Sequence, residues 1–198
     1  MFKKKKNTFT FHQKKKIITP KLIREIFSWI VVTAIAVLMA FVIVTAFGMQ
    51  VKVIGDSMEP TIYNGQGVLV DRLIFKLFGA QNGDVVVFLP NGNTNSHYYV
   101  KRVVGCPGDK IQIIDGNLYV NGAIAESGNI DYDKMEDAGI AASELKLGSG
   151  EYFLLGDNRN SSEDSRSANI GVVTTRMMVG KAWFKVKNKQ MSAGFILN

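Results

Sequence analysis

The sequence predicts a mainly β protein, with one N-terminal transmembrane helix followed by a β-rich, barrel-like domain that carries a small insert. Three observations predict it. A single long apolar run, Ile26 to Val51, contains no charged residue. A basic segment precedes that run, and several short segments rich in Val, Ile, Tyr and Phe follow it.

Phe27 to Phe47 supplies about 21 residues, which as a helix rising 1.5 Å per residue reach about 31 Å, against a hydrocarbon core of about 30 Å. A cleavable signal peptide also starts with a basic segment, but its apolar region is only about 7 to 15 residues long. This run is longer, so it reads as a retained anchor. The chain of 198 residues carries a formal charge of +7, yet residues 1 to 25 hold nine Lys/Arg against Glu25 alone, which leaves the remainder near −1. That distribution removes nucleic acid as a partner and, by the positive-inside rule, places the N-terminus in the cytoplasm. The expected organisation is a basic cytoplasmic tail at 1–26, a transmembrane helix at 27–48 and an extracytoplasmic domain at 49–198, with an inserted subdomain at about 106–150. Cys106 is the only cysteine, so no intrachain disulfide exists, and it reads as a small buried or loop residue.

Beyond the anchor, residues 66–75, 83–90, 96–105, 109–122, 150–157 and 177–186 are β-rich and bounded by Gly, Asn, Asp or Pro, which makes each a strand candidate. Asp115-Gly116 supplies the positive φ angles of a two-residue hairpin turn, and "PNGNTNS" at 90–96 reads as a longer hairpin loop. Residues 131–145 read as a short helix or a loop within the insert. Phe75, Leu77 and Phe78 are candidates for lipid contact, with core the stronger reading for Phe75.

Three stretches carry potential chemistry. In "GDSMEPTI" at 55–62, Ser57 is either a turn residue or a nucleophile. In "YYVKRVV" at 98–104 the period of two sets Tyr99, Lys101 and Val103 on one face and Val100, Arg102 and Val104 on the other, so one cation faces the interior. A buried Lys101 would have a lowered pKa and serve as a base; otherwise it snorkels at a sheet edge. In "LLGDNRNSSEDSR" at 154–166 polar residues follow a strand, and Asp164 with Arg166 alone would be a surface ion pair. Together the three stretches supply the parts of a Ser-Lys hydrolase.

The chain resembles the type I signal peptidases, membrane-bound serine proteases that remove signal peptides from exported proteins. The resemblance rests on the N-terminal anchor, Ser57-Met58-Glu59-Pro60-Thr61, "GDVVVF" at 83–88, "YVKRVVGCPGD" at 99–109, "GDNRNSSEDSR" at 156–166 and "VGKAWF" at 179–184. The single anchor and small insert look more like the Gram-positive members. The resemblance implies that Ser57 is the nucleophile, Lys101 the general base and Ser162 the residue that hydrogen-bonds and orients the lysine. It further implies that Asp157, Asp164 and Arg166 hold the site together, that Arg102 faces away from the chemistry, and that Met58 packs beside the nucleophile. It implies no cofactor and no metal. The implied partners are preprotein signal peptides, cut after small residues of the A-x-A type, and membrane lipid, with proximity to the secretion translocon.

Two features depart from the family pattern. Many relatives carry a hydroxyl two residues before the nucleophile as the second oxyanion donor, but Gly55 stands there, so a backbone N–H or water must replace it. The stretch between Arg166 and Val179 is about two residues longer than the usual spacing. Other readings are a different Ser-Lys maturation protease, or an inactive tethered β-domain that binds exported chains. His97, on the Lys101 face by the same periodicity, would be the base of a Ser-His alternative.

Overall fold

The computed structural model describes residues 19–125, 132–187 and 191–196. Most of the basic tail, residues 1–18, and residues 126–131 of the predicted insert lie outside the described residues. Helix α1 spans Pro20–Phe47, so it starts about two turns before the apolar run and takes in Lys21, Arg24 and Glu25. Its start is encoded locally: Thr19 Oγ1 accepts the Leu22 N–H at 3.3 Å, and a proline at the first helical position has no N–H to leave unpaired. With a mean hydropathy of 2.9 over its most apolar window, α1 is long and apolar enough to cross a membrane.

The chain divides after Val42, and the unit from Ile43 onward holds the β-structure. In order come β1 (Met49–Lys52), β2 (Gly67–Asp71), helix α2 (Leu73–Phe78), β3 (Val85–Phe88), β4 (Tyr99–Gly105), β5 (Lys110–Ile114) and β6 (Asn117–Val120). They are followed by β7 (Ala123–Ile124), β8 (Leu145–Lys146), β9 (Glu151–Leu155), β10 (Val173–Thr174), β11 (Met178–Lys185) and β12 (Gly194–Phe195). The larger sheet runs β1-β2-β11-β3-β4-β9-β10, with β12 beside β11, and the smaller runs β7-β6-β5-β8. The β5–β6 hairpin turns at Asp115 (φ 49°) and Gly116 (φ 77°), the pair of positive φ angles expected of Asp-Gly.

Neighbouring residues of β3 enter different cores. Val85 and Val87 pack with Val51, Met58, Ile62 and Val70, whereas Val86 and Phe88 pack with Phe75, Val103 and Leu154. The larger sheet is therefore covered on both faces at β3 and β4. A third cluster, containing Val104, Ile111, Leu118, Phe153 and Leu155, joins the smaller sheet to it.

One strand differs from expectation. The strand expected at 66–75 stops at Asp71, whose Oδ1 accepts the N–H groups of Leu73 and Ile74, each at 3.0 Å, and turns the chain into α2. In α2 Phe75 is buried, while Leu77 and Phe78 are 69% and 77% exposed. The described part of 131–145 is mostly loop, one of the two readings expected for it, with a single 3-10 turn at Gly139–Ala142.

Gly180 of β11 sits against β2 so closely that a Cβ there would run into the Asp71 carbonyl oxygen and approach Val70 Cγ1 to 2.8 Å. Gly180→Ala is expected to destabilise the fold by about 1–3 kcal/mol, as overpacking does, and a thermal melt measures it. An unchanged melting temperature would mean that β2 and β11 are not packed this closely.

Candidate active site

Ser57 lies on the connection between β1 and β2, a loop closed at its base by backbone bonds. Val53 N–H donates to Gln66 O at 2.9 Å, and Gly65 N–H donates to Val53 O at 2.9 Å. The buried Gln66 side chain fixes the same base, accepting from Tyr63 N–H at 3.2 Å and donating to the carbonyls of Val186 and Ser192 at 3.3 and 3.2 Å. Met58 and Ile62 are fully buried in the first core. Apolar anchors on its C-terminal side therefore hold Ser57 half-exposed at the loop's edge.

Lys101 comes from β4, between β3 and β9. Its cross-strand partner is Val86, and its neighbours on the same face of β4, Tyr99 and Val103, belong to the second core. Lys101 is 3% exposed, and its Nζ lies 2.5 Å from Ser57 Oγ. Burial pushes its pKa down to about 8, against the opposing pull of the Asp164, Glu163 and Asp157 charges. The pairing of Ser57 with Lys101 joins two stretches far apart in sequence. His97 lies outside β4 in an exposed stretch, so it is not part of the strand face that periodicity assigned to it.

The expectation that only one cation of "YVKRVV" faces the interior does not hold. Arg102 is on the opposite face of β4 and is equally buried, 4% exposed, because that face is covered as well. Its Nε and Nη2 each donate to Asp157 at 2.8 Å, its Nη1 donates to Gly83 O at 2.7 Å, and its Nη2 reaches Thr61 Oγ1 at 3.3 Å. Thr61 Oγ1 donates to Asp157 Oδ2 at 2.5 Å. Asp157 thus ties the serine loop, through Thr61, to the lysine strand, through Arg102. Burial works to lower the Arg102 pKa, but the hydrogen bonds and charge of Asp157 outweigh it and raise the value.

Asp164 and Arg166 form a second buried pair, with Arg166 Nε donating to Asp164 Oδ1 at 2.9 Å and Nη2 to Oδ2 at 3.0 Å. Asp164 Oδ2 also accepts the Gly156 N–H at 3.1 Å, and Arg166 binds the carbonyls of Arg159 and Asp137. This is a bracing pair inside the loop rather than the surface ion pair that the sequence alone suggested.

Ser162 stands differently from its implied role. Its Oγ is buried and makes no hydrogen bond, so the bond to Lys101 implied by the family resemblance is not formed here. Ser162 nevertheless adjoins the site: a Cβ on Gly156 would collide with the Ser162 side chain and approach the Ser57 carbonyl oxygen to 2.5 Å. Gly156 is thus a crossing point where only glycine fits. Gly55 has φ 89° and open space around it, and its N–H donates to Asn64 Oδ1 at 3.2 Å.

Sequence reasoning gave no role to Thr61, Gly156 or Tyr132. The first two lie inside recognised motifs. Tyr132 had no local signal, yet its hydroxyl reaches Asp157 at 3.3 Å and the Arg159 guanidinium lies 3.9 Å from its ring centre.

A serine hydroxyl against a buried amine, on a β-scaffold, is the arrangement of hydrolases of the Ser-Lys class. Comparison with known proteins names the family. Residues 26–187 match the family model described as signal peptidase, peptidase S26. The chain is 34% identical over 176 residues to signal peptidase IB of Staphylococcus aureus strain COL, covering 82% of this chain and 90% of that protein. It is 30% identical over 166 residues to signal peptidase I of Bacillus licheniformis, covering 81% and 88%. A crystal structure of a signal peptidase I from Enterococcus faecalis V583 shares 30% identity with a TM-score of 0.38, covering 52% of this chain and 95% of that one. The chain belongs to the signal peptidase family, peptidase S26.

The Asp157 side chain is fully buried and that of Arg102 is 5% exposed. Asp157→Ala would remove two Arg102 hydrogen bonds and the Thr61 contact from a buried site, and a loss of about 3–5 kcal/mol is expected in a denaturant titration. If the variant were as stable as the parent, Asp157 would not be the link described.

Proposed function

We propose that this chain is a membrane-anchored serine endopeptidase in which Ser57 and Lys101 cleave signal peptides from exported preproteins after small residues. One observation carries the assignment of roles: the Lys101 amine lies 2.5 Å from Ser57 Oγ and is held near a pKa of about 8. In its neutral form the amine takes the hydroxyl proton as Oγ attacks the scissile carbonyl carbon. The amine then returns that proton to the departing peptide nitrogen. Water, deprotonated by the same amine, hydrolyses the acyl-enzyme. Asp157, Asp164, Arg166 and Gly156 hold the two segments in register, and Met58 anchors the serine loop. Ser162 adjoins the pair from the loop after β9.

The membrane part of the proposal has α1 as a single-pass anchor with the N-terminus cytoplasmic and residues 49–198, including the insert at about 106–150, outside. Ser57 follows Phe47 by ten residues, which even fully extended reach only about 35 Å. Arg72 N–H, at the start of α2, donates to Ala46 O at 3.1 Å, so the exposed Leu77 and Phe78 belong to a helix that begins beside the end of α1. That position fits contact with lipid. Enzyme and embedded signal peptide then meet in one plane, which raises their effective concentration.

The roles make a pH prediction with a definite sign. Below pH 8 protonated Lys101 cannot accept the serine proton, so kcat/KM should fall about tenfold per pH unit toward acid and level off above the lysine pKa. Ser57→Ala and Lys101→Met should each abolish cleavage with the fold retained, and His97→Ala should keep most activity. An active Lys101→Met variant would remove Lys101 as the base.

The anchor makes a separate prediction. A chain beginning at Ile43 should cleave a short soluble peptide nearly as well as the full-length protein, yet cleave membrane-inserted preprotein markedly less well. Equal losses on both substrates would show that α1 supports the fold of the site rather than the encounter.

A further inference from the structure

Glu163 lies between Ser162 and Asp164 but takes part in neither the buried Asp164–Arg166 pair nor the Ser57–Lys101 contact. It is exposed. Its Oε2 accepts the Tyr99 hydroxyl at 3.4 Å, and Tyr99 precedes Lys101 by two residues on the same face of β4. The Lys101 Nζ stands 5.7 Å from the centre of the Tyr99 ring. One aromatic side chain therefore touches the lysine environment with its face and a solvent-facing carboxylate with its hydroxyl.

We propose that Glu163 and Tyr99 act as a positioning pair for Lys101, the phenol holding the Glu163 carboxylate at the open side of the site as a counter-charge to the amine. The inference rests on the assignment of Lys101 as the base. The other charged groups that bear on the amine are Asp164, Asp157 and Arg166, and all three are committed to buried ion pairs within the protein. Glu163 alone is tethered by a single neutral donor and faces water, so it is the one acid whose influence can change without breaking the fold. Its charge favours the ammonium form and works against the desolvation that lowers the Lys101 pKa. It also raises the Tyr99 pKa, second to burial, which keeps the phenol protonated as a donor.

The direction of the effect separates this role from a structural one. Loosening the site would admit water around Lys101 and move its titration toward the ordinary lysine value. Removing the Glu163 charge moves it the other way. The test is the pH profile of kcat/KM on a soluble signal-peptide substrate for the full-length protein, for Glu163→Gln, Glu163→Asp and Tyr99→Phe, and for the Tyr99→Phe/Glu163→Gln double variant. Glu163→Gln should shift the acid midpoint to lower pH by about half a unit, read as roughly threefold higher kcat/KM on the acid side, and the shift should shrink in high salt because Glu163 is exposed. Glu163→Asp should keep most of the parental midpoint. Tyr99→Phe should shift the midpoint in the same direction by less, and the double variant should move no further than Glu163→Gln alone.

A midpoint unmoved or raised in Glu163→Gln, or additive shifts in the double variant, would overturn the pairing while leaving the base assignment intact. A parental profile with no acid limb would overturn both.

Discussion

Lowering a lysine pKa far enough to supply neutral amine near pH 8 is the constraint on which the rest of this site depends. Lowering the Lys101 pKa from 10.5 to about 8 means that the protein disfavours the ammonium form by about 3 kcal/mol. Removal from water is the largest cause, and the Arg166 charge acts the same way, while the Asp164, Glu163 and Asp157 carboxylates act in the opposite sense. That requirement explains why the lysine comes from a strand with neighbours on both sides rather than from a loop. β4 is flanked by β3 and β9 and is covered on both faces, so the lysine stem is enclosed.

A loop-borne serine at the edge of a rigid sheet still has to be held in place, and two buried ion pairs do this from different sides. The Arg102–Asp157 pair joins the lysine strand to the loop after β9 and, through Thr61, to the serine loop. The Asp164–Arg166 pair closes the loop after β9 on itself and reaches out to the carbonyl of Asp137. Such pairs are poor sources of net stability, because desolvating both charges offsets most of their attraction. Their value lies in geometry: a bidentate fork admits one relative placement of its partners, which an apolar contact of the same size would not enforce. The carboxylates also sit close enough to oppose the lysine's depression, so the final basicity is a balance between burial and bracing.

Much of the architecture was legible because it is written locally. Asp115-Gly116 turns the β5–β6 hairpin and the β-branched runs form strands near their expected limits, although α1, expected from 27, already starts at Pro20. Errors arose where a local rule carries a hidden assumption. Assigning one cation of Lys101 and Arg102 to the surface assumes that a strand has a wet face, and β4 has none. Extending β2 through Phe75 assumes that apolar β-formers continue a strand; six residues are too few for a helical period to show, and the signal was Asp71, a capping acid within the run. Tyr132 was invisible because its contact with Asp157 is made across the fold from a segment with no periodic pattern. The family motifs located Ser162 beside the pair but not the state of its hydroxyl, which is buried without a hydrogen bond.

The junction between anchor and sheet bears on how the serine loop is presented. Almost no chain separates helix from sheet: α1 ends at Phe47 and β1 begins at Met49. The intervening Gly48 is packed so that a Cβ would run into the Val44 carbonyl oxygen and come within 3.3 Å of its carbon, so only glycine makes the helix-to-strand transition in this space. Gly48 N–H donates to Val44 O at 2.8 Å and continues the helical bonding into the turn. β1 then pairs at once with β2, Met49 opposite Val70, and the loop that departs from the far end of β1 carries Ser57. The last turn of α1, the edge of the sheet and the base of the serine loop are therefore joined by ordered backbone throughout.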